Sequence, residues 1–152
     1  MRGKFDVQLM ELKKKIVTMS GLVNKAIDQA VLSLKERDLE LAEKIIADDE
    51  VINNMEREIE QLCTHLVATQ QPFASDLRKI VASYKMITSL ERMGDLAVDI
   101  AQVSLKIGPV PLIKPLIDLP KMASIVIKMI HTAVESYIIE DVEFIEVNNR
   151  SY

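Results

Sequence analysis

Glu91, Asp95 and Asp99 recur every fourth residue in the stretch "LERMGDLAVDIA" (90–101). On a helix such residues are surface neighbours, and like charges at that spacing destabilise it by roughly 0.2–0.5 kcal/mol per pair. Solvent and basic neighbours such as Arg92 could offset the repulsion, and so could a bound cation. A second set, Asp49, Asn53, Glu56 and Glu60, borders an apolar face earlier in the chain. Carboxylate and amide oxygens at this spacing suit hard or borderline cations, which take several oxygen ligands. Two such stripes on adjacent helices could face one groove, leaving cation binding or polar recognition of a partner as the chemistry to test.

Other chemistries lack their residues. His65 and His131 are the only histidines and no Glu-x-x-His occurs, which argues against a ferritin-like di-iron site. Both are read as core or boundary residues. No Ser/His/Asp or Cys/His set is visible, there is no glycine-rich phosphate loop, and the lone Cys63 falls on an apolar face and reads as core. The chain is not expected to be an enzyme. Gly94, in mid-helix at a cost of about 1 kcal/mol, points to close approach of another backbone or a ligand, or to tight helix packing.

The elements that position these residues follow from composition and period. A chain of 152 residues is the size of one domain with a real core. Its 49% hydrophobic share, four glycines and absent tryptophan lean towards an all-α protein. The single cysteine and the basic, polar start "MRGKFDVQLMELKKK" point to a reducing cytoplasm. No apolar run approaches the eighteen or so residues that cross a bilayer, so membrane association is expected only through partners. A net charge of −4 argues against nucleic acid.

Phe5, Leu9, Leu12, Ile16, Met19, Val23, Ala26 and Ala30 alternate steps of four and three, a heptad seam that favours left-handed packing of nearly parallel helices. This first helix should reach about Glu36, a rod of about 50 Å; Met10 and Met19 are read as core or seam. Asp38 can cap a second helix with Ile45, Ile52, Met55, Ile59, Leu62, Cys63 and Leu66 on its apolar face. Pro72 biases Gln71 out of the helical region, and Ser75 or Asp76 can cap a third helix running to Lys106. On that helix the acids continue the line of Leu77, Ile80, Val81 and Tyr84, opposite an apolar stripe through Met86, Leu90, Met93, Ala97 and Ile100, which implies neighbours on two sides. Four of the five prolines lie in residues 108–120, a connection. A fourth helix, about Lys121 to Glu140, is apolar nearly all round.

The fourth helix repeats the first. Shifted by 103 residues, 19–43 overlays 122–146 with ten identities in twenty-five positions. The expected organisation is an antiparallel three-helix repeat over 1–107, the connection 108–120, and the first helix and start of an incomplete second repeat over 121–152. The apolar fourth helix implies self-association.

"QQPFASDLRKI" (70–80) followed by "LERMGDLAVDIA" (90–101), and preceded by "DLELAEKIIADDEVINNMEREIEQLC" (38–63), resembles the PhoU family of phosphate-transport accessory and signalling proteins. The resemblance implies tandem three-helix bundles in the bacterial cytoplasm beside the inner membrane. It implies a non-enzymatic negative regulator coupling a phosphate ABC transporter, through its ATPase subunit, to a phosphate-sensing histidine kinase. The family's E(D)-x-x-x-D motif, proposed to carry clusters of iron or another metal, matches Glu91 and Asp95, with Asp99 one turn on. Its partner on the second helix falls on Asp49 and Asn53, where many relatives have an acid in place of Asn53. Arg78 and Arg92 are candidates for partner recognition, with ion pairing inside the bundle as the alternative. A homodimer is expected; a metal-binding helical protein and a plain dimerisation module stay open.

Overall fold

The computed structural model describes residues 2–139, and among them four helices follow one another: α1 (Arg2–Lys35), α2 (Leu39–Gln70), α3 (Ala74–Ile107) and α4 (Asp118–Ile139). The expected residues 140–152 of the second repeat lie outside the described residues. Rods of about 50 Å joined by three-residue turns must reverse direction, so α1, α2 and α3 run up, down and up as an antiparallel bundle.

Local chemistry sets the ends. Asp38 caps α2, its Oδ1 accepting from the Leu41 amide at 3.0 Å. Gln71, just past α2 and before Pro72, takes the left-handed conformation with φ 43°. At α3 the expected cap differs. The helix begins two residues earlier than Asp76, and the Phe73 carbonyl accepts from the amides of Asp76 and Leu77, with no capping side chain. α4 also starts earlier, at Asp118, because Pro120 falls in its first turn, where the missing amide is not needed.

The core follows the first heptad seam. Leu12, Ile16, Met19 and Val23 are fully buried against Ile52, Ile59 and Leu66 of α2 and Ile87, Leu90 and Ala97 of α3. Near the end of α1 the buried set widens to Ile27 and Val31, because α4 packs on α1 there. The core line of α3 is Ile80, Ser83, Ile87, Leu90, Gly94, Ala97, Ala101 and Ser104, again in alternating steps of three and four. Met10 departs from expectation: it sits one position off the seam and is exposed. His65 and His131 are likewise exposed, His131 lying 3.7 Å from Glu135 on its own helix.

Arg37 was not singled out by its sequence context, yet it joins three segments. It follows α1 in the left-handed region, φ 57°. Its guanidinium donates to the carbonyls of Leu34 (3.1 Å), Ser104 (3.3 Å), Val110 (3.1 Å) and Gly108. A cation thus sits at the C-terminal ends of both α1 and α3, at the negative end of each helix dipole.

α4 runs antiparallel to α1, with Ile130 and Val134 buried between them, and touches α3 where Tyr137 OH and Ser83 Oγ hydrogen-bond. Met122, Ile125 and Met129 stay exposed. α4 is also the one helix among the described residues long and apolar enough, by length and composition, to cross a membrane. That revises the reading from the sequence, where Lys121, Lys128 and Glu135 interrupt the apolar run.

Candidate functional site

α2 and α3 share one face covered by α1 and a second face that no helix among the described residues covers. On that second face α2 presents Asp49, Asn53, Glu56, Glu60, Cys63 and Val67, and α3 presents Leu77, Val81, Tyr84, Thr88, Glu91 and Asp95. Both sets alternate steps of four and three, so each lies along one side of its helix. The antiparallel register aligns their ends. Tyr84 OH donates to Glu60 Oε1 at 2.8 Å, and Gly94 lies beside Ile52 and Asp49. The paired surface is therefore acidic at one end and apolar at the other.

At the acidic end the carboxylates repel one another. Burial comes first in holding Asp49 above the usual carboxylate range, with the charge of Asp95 adding to it. Asn53 opposes the shift, its Nδ2 donating to Asp49 Oδ2 at 3.3 Å. Glu56 is raised by burial and then by Glu60 and Asp95. Glu91 is raised to about 7, first by burial, then by the hydrogen bond its protonated form shares with Asp95 and by the charges of Asp95, Glu56 and Asp49. Glu91, Asp95, Asp49 and Asn53, the residues expected to act together, are thus brought together, and Glu56 joins them. Asp99 is placed elsewhere: it lines an apolar cavity with Ile27, Val31, Leu119, Met122 and Val126 where α1, α3 and α4 meet.

The oxygen donors suit a hard cation in chemistry. As placed, however, no three His, Cys, Asp or Glu side chains among the described residues are arranged to hold a metal ion. Gly94 does not mark a close backbone approach. A Cβ there would meet Ile52 Cγ2 at 3.5 Å and Asp49 Oδ1 at 3.6 Å, ordinary packing distances to side chains.

At the apolar end Cys63, Val67, Ile80, Val81 and Tyr84 line a groove of about 470 Å³. Val67, Leu77, Val81 and Tyr84 are each between 39% and 46% exposed, and Phe73, one turn before Leu77, is 87% exposed. Periodicity identified this stripe as apolar and so implied a covering neighbour; within the described residues none covers it. Burial pushes the Cys63 thiol up to about 11, which makes it a poor nucleophile. Arg78 and Arg92 are exposed on α3 and make no ion pair within the described chain.

These features define an all-α bundle protein with an exposed acidic and apolar seam. The PhoU domain model matches residues 16–104. The chain is 39% identical over 138 residues to the phosphate-specific transport system accessory protein PhoU homolog of Aquifex aeolicus, covering 91% of this chain and 62% of that protein. It is 30% identical to the phosphate-specific transport system accessory protein PhoU of Escherichia coli, covering 93% of this chain and 58% of that one. The crystal structure of PhoU from Pseudomonas aeruginosa matches with a TM-score of 0.86 at 31% identity, over 92% of this chain and 68% of that chain. The chain belongs to the PhoU family, and it spans about three-fifths of the length of the first two relatives.

Proposed function

We propose that this chain is a non-enzymatic accessory regulator of phosphate transport. It would work in the cytoplasm, coupling the ATPase subunit of a phosphate ABC transporter to a phosphate-sensing histidine kinase and repressing the starvation response when phosphate is plentiful. The observation that carries this reading is the match of residues 16–104 to the PhoU domain, together with relatives named as accessory proteins of a phosphate-specific transport system. An exposed seam with two distinct ends supports it, since an adaptor needs recognition surface more than a catalytic pocket. The exposed Arg78 and Arg92 are its candidate contacts, and self-association through the apolar side of α4 is part of the reading. The test is complementation. In a bacterium lacking its own PhoU-type protein, expression of the chain should restore low alkaline phosphatase activity in high phosphate; phosphatase that stays high while the protein is present and folded would refute it.

One observation favours a second reading, in which iron or another metal cluster is held by Glu91, Asp95 and Asp49 with Asn53 beside Asp49 and without Asp99, which faces the cavity beside α4. Burial first, and then the charge of neighbouring acids, raises Asp49, Glu56 and Glu91, and a cation would relieve the repulsive part. The carboxylates would have to turn towards one point to bind it. Metal content of the purified chain, with and without Glu91→Gln/Asp95→Asn, decides this reading: equal content in both proteins defeats it.

A further inference from the structure

The face of α2 and α3 that no helix among the described residues covers is apolar at one end and acidic at the other, and its two ends ask for opposite chemistry. We propose that this face docks one amphipathic helix of a partner protein, apolar along half its seam and rich in Lys or Arg along the other half. The inference rests on the adaptor reading for the existence of a protein partner, and it adds the chemistry by which that partner is recognised.

Three observations carry it. First, Val67, Leu77, Val81 and Tyr84 leave 39% to 46% of their surface exposed on a face that no helix among the described residues covers. Second, the surface is divided along its length. Val67, Val81 and Tyr84 line the groove at the apolar half, with the exposed Leu77 one turn along α3 extending it, whereas the other half carries Asp49, Glu56, Glu60, Glu91 and Asp95. Third, Arg57, the basic side chain next to Glu56 on α2, is turned to Asn54 at 2.6 Å and Glu50 at 3.5 Å. A partner ammonium or guanidinium arriving there meets carboxylates whose mutual repulsion it relieves. From Leu77 to Asp95 the seam spans about 27 Å, the length of a helix of about 18 residues.

The test uses the full chain in the presence of a chelator and two labelled 18-residue helical peptides. One carries Leu on the seam in one half and Lys in the other; the second has Glu in place of Lys. Fluorescence anisotropy should show saturable one-to-one binding of the Lys peptide and at least about tenfold weaker binding of the Glu peptide, a gap of about 1.4 kcal/mol. Val81→Glu should weaken the Lys peptide at least about tenfold, and Leu77→Glu should do the same. The Glu91→Lys/Asp95→Lys variant should reverse the preference in favour of the Glu peptide. All three change exposed or half-exposed positions, so circular dichroism should show an unchanged fold. Equal binding of both peptides, absence of saturable binding, or indifference to both groove variants overturns the proposal. In the complementation strain a Val81→Glu chain that represses as well as wild type also overturns it while leaving the adaptor reading standing. A wild-type chain that fails to repress removes the adaptor reading, and the peptide titration still decides the groove.

Discussion

Glu91 offers a way to measure how much electrostatic strain the acidic end of the seam stores. Its carboxyl titrates at about 7 in the folded chain against 4.5 for the unperturbed group. Below about pH 4.5 both folded and unfolded chains hold the proton, and Glu91 costs nothing. Between pH 4.5 and 7 the unfolded chain releases it first, so the unfolded state gains relative to the folded one. Above pH 7 both are ionised and the folded state carries the whole penalty. At 1.36 kcal/mol per pH unit the shift corresponds to about 3.4 kcal/mol. Glu91 is half-buried, and solvent screening should reduce the effect to about 1 kcal/mol. Glu91→Gln removes the charge and keeps a donor for Asp95. The variant should therefore be indistinguishable from wild type at pH 4 and more stable by about 1 kcal/mol at pH 8, about 3 °C in melting temperature for a chain of this size. Thermal unfolding followed by circular dichroism in a chelating buffer, at unit steps from pH 4 to 8, gives the curve. A difference that does not change with pH, or a Gln variant less stable at pH 8, would refute the assignment of strain to Glu91.

Three further outcomes follow from particular contacts. Arg37→Met should cost about 1–2 kcal/mol in denaturant unfolding, because the carbonyls of Leu34, Ser104, Gly108 and Val110 lose a shared charged donor; an unchanged midpoint would mean water replaces it without loss. Gly94→Ala should stabilise by about 0.5–1 kcal/mol, since helix propensity favours Ala and the new methyl meets Ile52 and Asp49 at ordinary distance, whereas Gly94→Ile should push on Ile52 and destabilise. At pH 8 Cys63 should react with a disulfide reagent about 100-fold more slowly in the native chain than in denaturant, because its thiol is raised from 9.0 to about 11; a native rate near the denatured one would place the thiol outside the core.

Much of the architecture lies in the order of residues, for a physical reason. A helix turns by a constant angle per residue, so the steps of four and three from Phe5 to Val23 record a buried line before any neighbour is known. Asp38 as a cap and Gln71 before Pro72 as a break depend only on adjacent backbone, and both hold. The acids of α2 and α3 were each visible as stripes by the same rule. What packing alone decided is how the stripes meet. The antiparallel register sets Asp49 and Glu56 against Glu91 and Asp95, and turns Asp99 towards the cavity beside α4. The apolar line through Leu77, Val81 and Tyr84 reads in sequence as a face needing a neighbour, yet periodicity states only that a face is apolar, never what covers it. Which side α1 takes is settled by the competition of all the faces for burial. Arg37 shows the same limit: its acceptors lie 3 to 73 residues away and converge only once three segments end at one place.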